Sequence, residues 1–282
     1  MDKKIIYINS IIIAILASIS TLSGLFWRGL YKHDTVSMAA QGMGQDLITL
    51  IICIPLLLLS LYLISRNSLR GQLIWMGTLF YFAYTYAIAS FGVAYNQLFL
   101  AYVALFSISM YTFLYGLFSL DVNHVKKSIS PGITIKAAGV FLVVIATLVI
   151  FMWVNMIVGS LLTGTAPLKL ESYTTLVVQA MDLAVLLPAA VISGILLLKG
   201  KELGYTLVSI LLIKISLLGT AILSMIFFMA KNGVNIELGE VLIFTTIALL
   251  GITISVAFYR KIKGTVSPVK ENSESKVKGI VS

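Results

Sequence analysis

A helix needs about 20 mostly apolar residues to cross the hydrocarbon of a bilayer. This chain supplies that length eight times, at 5–26, 47–65, 72–94, 98–120, 137–160, 175–198, 205–230 and 241–259. Transmembrane β-barrels satisfy their backbone as well, but they read as short alternating segments rather than continuous apolar runs. The expected fold is therefore all-α, a polytopic transmembrane helical bundle of eight spans. Charged residues make up 11% of the 282 residues, against about 25% in a soluble domain, which excludes a water-soluble globule. The 59% apolar content excludes disorder, and the lone Cys53 excludes a disulfide scaffold. Met1–Lys4 followed by an apolar run is also the layout of a cleaved signal peptide, with Ser18 and Ser20 as small residues near a cleavage point. The run reaches Trp27, which is long for that, so it is read as a retained first span.

Lys and Arg in the loops set the expected orientation. With the N-terminus in the cytoplasm, 15 of the 20 basic residues lie inside and 4 outside (Arg28, Lys32, Lys169 and Lys231), while Lys214 is left within a span. Acidic residues are balanced, 5 on each side, with Asp182 in a span. Both termini are expected in the cytoplasm. The net charge of +9 then follows from topology rather than from a nucleic-acid footprint, and no nucleic-acid partner is expected.

Two segments read as copies. Pro55 is followed 11 residues later by Arg66 and 16 later by Gly71; Pro188 is followed 11 later by Lys199 and 16 later by Gly204. Asp46 precedes Pro55 by 9 residues and Asp182 precedes Pro188 by 6, so pairing the two aspartates needs a three-residue gap. A duplication divides the chain into 1–128 and 129–260, two four-helix repeats, followed by a basic tail at 261–282 that is expected to be disordered and drawn to anionic lipid. Four spans per copy make the repeats parallel, with a pseudo-two-fold axis along the membrane normal and a binding site between the halves.

A charge inside a span costs about 2.5–3.5 kcal/mol on insertion scales, so it marks a functional candidate. Asp182 and Lys214 meet that criterion. Asp46, at the mouth of the second span, reads either as a related site residue or as a helix N-cap facing water. Gln179 falls on the Asp182 face; Asn155 and Tyr81 are further polar groups that could line a cavity. Levelling the hairpin of spans six and seven leaves roughly 10 Å between Asp182 and Lys214, too far for direct pairing. The carbonyl of Ala184, freed by Pro188, is the expected partner of Lys214. The polar segment from Arg28 to Gln45 reads as a connector or a lid.

Several chemistries have no residues to carry them. There is no Walker-type phosphate loop and no zinc-protease motif. The two histidines, His33 and His124, fall on opposite sides of the expected topology, so neither a metal nor any other cofactor is expected, and no catalytic residue is assigned. The balance is against an enzyme.

The Gln45-Asp46-Leu47 run ending in Pro55, the stretch Arg66-Asn67-Ser68-Leu69-Arg70-Gly71, the stretch Tyr95-Asn96-Gln97-Leu98-Phe99-Leu100, and Asp182-Leu183 with Pro188 resemble uncharacterised prokaryotic multi-pass membrane proteins. That resemblance implies a prokaryotic plasma-membrane location and no particular activity. The polar residues themselves point to a secondary transporter of a small solute or ion with an intramembrane Asp/Lys site. The alternatives are a membrane sensor or accessory subunit that binds a membrane partner, and then a lipid-modifying enzyme.

Overall fold

The structure, a computed structural model, describes residues 2–27 and 29–265. Eight helices are long and apolar enough to cross a membrane: α1 (Lys3–Phe26), α2 (Val36–Ser65), α3 (Leu69–Gly92), α4 (Phe99–Phe118), α5 (Ile133–Thr163), α6 (Val177–Leu198), α7 (Glu202–Lys231) and α8 (Leu238–Tyr259). The chain is an integral membrane protein, an all-α bundle whose outer surfaces contact lipid. Because the span number is even, Asp2 and the end of α8 share one face, here the terminal face; the opposite one is the far face.

Local chemistry sets the helix ends. Asp2 caps α1 by accepting from the Lys4 amide at 2.8 Å, and Thr35 caps α2 by accepting from the Met38 amide at 3.1 Å. The start of α2 at Val36 corrects the expected boundary at residue 47. The extra turns carry Ser37, Gln41, Gln45 and Asp46, which face an internal cavity rather than lipid, so an apolarity criterion misses them. Asp46 is consequently not an N-cap; it lies ten residues inside the helix that Thr35 caps.

Both α2 and α6 contain a π-helical turn that ends two residues before their proline. In α2 the turn is Thr49–Cys53, closed by the Ile54 amide reaching the Thr49 carbonyl. In α6 it is Asp182–Leu186, closed by the Leu187 amide reaching the Asp182 carbonyl. One extra residue per turn lets the helix absorb a proline that cannot donate, and such turns concentrate at functional sites. Both helices also end alike. The Asn67 and Ser68 amides bond back to Ile64 and Leu63 at 2.9 and 3.0 Å; the Gly200 and Lys201 amides bond back to Leu197 and Leu196 at 2.9 and 2.9 Å. These are Schellman closures that need a left-handed residue, supplied by Asn67 (φ 56°) and Gly200 (φ 69°).

α3 and α7 run through the middle of the bundle. α1 packs on α2 and α4, and α3 packs on α2 and α4; in the second half α5 packs on α6 and α8, and α7 on α6 and α8. The halves meet where α7 crosses α2 and α3, and where α3 touches α6. Gly77 permits the α3–α7 crossing, since a Cβ there would come within 2.7 Å of the Ile210 carbonyl oxygen and 2.5 Å of the Ile213 Cβ.

The terminal face is laced by the residues that follow α8. Lys261–Thr265, expected to open the disordered tail, instead forms a strap. Ile262 bridges to Ile129 and Thr265 to Ser68. Arg70 donates twice to the Ile262 carbonyl, at 2.8 and 2.5 Å, and the His124 ring contacts the Thr265 carbonyl at 2.7 Å. Backbone groups spared from α8 find partners in neighbouring loops, which is why a polar segment orders here. The rest of the expected tail, 266–282, lies outside the described residues.

Candidate functional site

A cavity of about 400 Å³ opens toward the far face between the α5–α6 and α7–α8 connections. It descends past α2, α3 and α7 to Asp182, and it brings Asp46 and Asp182 to one space. That volume lies in the range of small-molecule sites.

Asp182 sits in the first residue of the π-helical turn of α6. Tyr84 of α3 donates its hydroxyl to Asp182 Oδ1 at 2.5 Å, and Trp153 of α5 donates its indole N–H to Oδ2 at 3.0 Å. Each carboxylate oxygen thus has a donor, which a buried acid requires. Lys214 lies behind this pair, fully buried on α7. Its ammonium stands 3.7 Å from the centre of the Tyr84 ring. It has no hydrogen-bond partner among the described residues. Tyr84 therefore contacts both charges, taking the amine on its ring face and giving its proton donor to the acid. No direct ion pair joins Asp182 and Lys214 among the described residues. The expected bond from Lys214 to the Ala184 carbonyl is not made. The π-helical turn reorganises the backbone ahead of Pro188, and the ring of Tyr84 is the surface the amine reaches.

Asp46 is held differently. Tyr31, in the α1–α2 connection, donates to Asp46 Oδ2 at 2.6 Å. Gly24 lets the carboxylate lie against α1, since a Cβ there would fall 1.7 Å from Oδ2. Tyr86 and Tyr102 stand within electrostatic range of this carboxylate. The two aromatic rings are offset-stacked 6.1 Å apart.

The other expected site residues separate from these. Tyr81 is fully buried beneath the cavity, where its hydroxyl and the Thr49 hydroxyl lie 3.0 Å apart. Gln179 is buried but lines a smaller neighbouring pocket with Met38 and Gln41. Asn155 is exposed on α5 and points away from the cavity. Trp153, two residues earlier, holds the inward position. α5 is apolar around its whole circumference, so nothing in its sequence pattern marks an inward face. Tyr31, Gly24 and Trp153 carry no local motif that would single them out.

The mouth is polar. Lys169 pairs with Glu240 at 2.7 Å, linking the α5–α6 connection to α8. Glu171 accepts from the Thr35 hydroxyl. Asp34 accepts at Oδ1 from the Ala94 amide and from the Tyr173 hydroxyl, both at 2.8 Å, and so ties three far-face connections together. Burial raises the Asp34 carboxyl above its usual range, against the opposing pull of the Ala94 and Tyr173 hydrogen bonds and of nearby His33. Burial, then the Asp34 hydrogen bond, pushes the Tyr173 hydroxyl up to about 12.

Comparison with protein-family models, with curated proteins and with solved structures finds no match.

Proposed function

We propose that this protein is a secondary carrier that takes a small solute into the far-face cavity and couples its passage to the protonation of Asp182. The observation that carries the reading is the cavity itself, which leads from the far face to a carboxylate whose tyrosine partner is backed by a buried lysine with no hydrogen-bond partner among the described residues. Ionisable groups placed so deep are costly, and proton relays in transporters are where such groups are found. The strap across the terminal face is, in this reading, the closed gate of a conformer open to the far side. The far face is the outside and both termini are cytoplasmic, in the plasma membrane of a prokaryote, as the loop charges favour.

Two parallel halves are part of the proposal. A register of 133 residues pairs Thr49 with Asp182, Pro55 with Pro188, Asn67 with Gly200 and Gly71 with Gly204, without a gap. Both π-helical turns, both Schellman closures and the matching helix neighbours support it. The register also pairs Gly77 with Ile210, and these two touch at the α3–α7 crossing, as residues astride a two-fold axis do. It replaces the pairing of Asp46 with Asp182. The counterpart of the Asp182–Lys214 pair is Thr49–Tyr81, a neutral hydroxyl pair. Rocking of such halves about their shared axis is the motion of a parallel-repeat carrier.

The test is proton movement in vesicles carrying the purified protein and an internal pH dye. A panel of small solutes, added to the far side, should include one that drives proton flux in the wild type. Asp182→Asn should abolish that flux while retaining the folded elution profile. Solute binding with no flux from any member would favour the sensor or accessory role instead.

A further inference from the structure

The charges of the cavity do not balance, and their imbalance names a ligand class. Its lining holds four acids, Asp46, Glu171, Asp182 and Glu240, against one base, Lys169. Lys169 is paired with Glu240. Asp182 is answered by Lys214 across the Tyr84 ring. Asp46 and Glu171 have no basic partner among the described residues; Glu171 is exposed at the mouth and accepts from the Thr35 hydroxyl, whereas the one hydrogen bond of the deeper Asp46 comes from the neutral Tyr31. With no basic group to pair it, Asp46 is costly to ionise while the cavity is empty, and a bound cation would supply the missing partner.

The surroundings of Asp46 select the kind of cation. A small hydrated metal ion calls for several oxygen ligands, and among the described residues no group of three or more acidic, histidine or cysteine side chains is placed to hold one. Around Asp46 stand instead the rings of Tyr31, Tyr86 and Tyr102, which line the cavity; Tyr86 stacks on both Phe82 and Tyr102, so Tyr31 and Tyr102 are the rings left to face a ligand. Tyrosine faces attract ammonium groups through their quadrupole, and several together with an acid make an aromatic cage. Beyond the cage the wall supplied by α7 is apolar and adaptable, formed by Ile222, Met225 and Met229 among others. Gly44 brings α2 against the Met225 backbone, where a Cβ would come within 2.6 Å, so the acid and the apolar wall face one space.

We propose that the solute is an amphipathic organic cation, with its ammonium held by Asp46 in the tyrosine cage and its apolar body against α7. The proposal rests on the solute-site reading above and specifies its substrate. It assigns the two acids different work: Asp46 anchors the ligand, and Asp182 with Lys214 carries the coupling proton.

The experiment is titration calorimetry on the full chain in lipid nanodiscs with three probes of similar size: benzyltrimethylammonium, neutral N-benzylacetamide and phenylmethanesulfonate. Benzyltrimethylammonium should bind at least about tenfold more tightly than the amide, the discrimination that a charge anchor with cation–π support provides. The sulfonate should give no heat of binding. Asp46→Asn should erase the preference for the cation, whereas Asp182→Asn should preserve it. The wild-type comparison decides the ligand class without any variant, so a misfolded Asp46→Asn protein does not obscure it. Equal binding of cation and amide, tighter binding of the sulfonate, or no binding of the cation overturns the proposal. Preference for the amide or the sulfonate would do so while leaving a solute cavity in place. Loss of the cation preference in Asp182→Asn but not in Asp46→Asn would overturn the division of labour. The proton-flux assay reads coupling at Asp182 separately, so the two proposals fail independently.

Discussion

Replacing Tyr84 by Phe or by Leu separates its two contacts. Phe keeps the ring 3.7 Å from the Lys214 ammonium but removes the hydroxyl that donates to Asp182. A hydrogen bond to a charged group contributes about 1.5–3 kcal/mol, so Tyr84→Phe should lose stability in that range. Leu removes the ring as well. A desolvated cation–π contact is worth about 2 kcal/mol or more, so Tyr84→Leu should lose roughly 4 kcal/mol or more in all. In a thermal melt followed by tryptophan fluorescence in detergent, each kcal/mol should lower the midpoint by about 2 °C. Leu also loses packing, and a double-mutant cycle removes that contribution. In the Lys214→Met background the extra cost of Leu over Phe should shrink by about 2 kcal/mol. If Leu and Phe are equally destabilising, or if the extra cost of Leu is unchanged in that background, the ring does not support the amine and the account of the site is wrong.

Three further outcomes follow from the geometry. Gly24→Ala should displace the Asp46 carboxylate, because the new Cβ would fall 1.7 Å from Oδ2. Overpacking of this kind costs about 1–3 kcal/mol, and an unchanged melting midpoint would contradict it. Arg70→Ala should free the strap, since both guanidinium bonds to the Ile262 carbonyl vanish; amide exchange in Lys261–Thr265 should accelerate in mass spectrometry, and unchanged protection would refute the strap. Asp34 has a folded-state pKa above its ordinary value, with burial as the leading cause. Its contribution to stability is full below the unfolded pKa, near 3.9, and is lost as pH rises through the higher folded value. The proton has a place at Oδ2, which is buried with no hydrogen-bond partner among the described residues. Relative to Asp34→Asn, the wild type should therefore gain thermal stability on acidification from pH 7 toward 4, and a relative loss would reverse the assignment.

The spans were legible in the sequence because about 20 apolar residues in a row admit few alternatives. All eight are present, although the second begins at Val36 rather than near residue 47. That error has a physical source. Turns facing a cavity carry polar side chains such as Gln41 and Gln45, and hydropathy cannot distinguish them from a loop. Asp182 and Lys214 stood out as charges in apolar runs, but their mediator did not. Tyr84 is one of 13 tyrosines, and its role depends on how α3 crosses α6 and α7. Asn155 was misplaced because an all-apolar helix gives no rotational reference. The proposed repeat rests on proline, basic and glycine spacing that the sequence itself carries. The gapless register proposed for it was not legible, because the π-helical turns that support it have no signature beyond the proline that follows. Asp46 was the plainest acid to pair with Asp182 by eye; in the proposed register, Thr49 occupies that place.

The central claim is that a hydrated cavity leads from the far face to the middle of the bundle, and thiol accessibility tests it most directly. Cys53 is the lone native cysteine and is fully buried, so Cys53→Ser gives a silent background. A cysteine introduced by Ile222→Cys lies on the cavity wall, nine residues into α7 from its far end at Lys231. That depth is roughly 13 Å at 1.5 Å per residue. A membrane-impermeant methanethiosulfonate reagent applied to the far side of sealed vesicles should label it, and the same reagent confined to the terminal side should not. Failure to label from the far side, or labelling from the terminal side alone, would contradict the account.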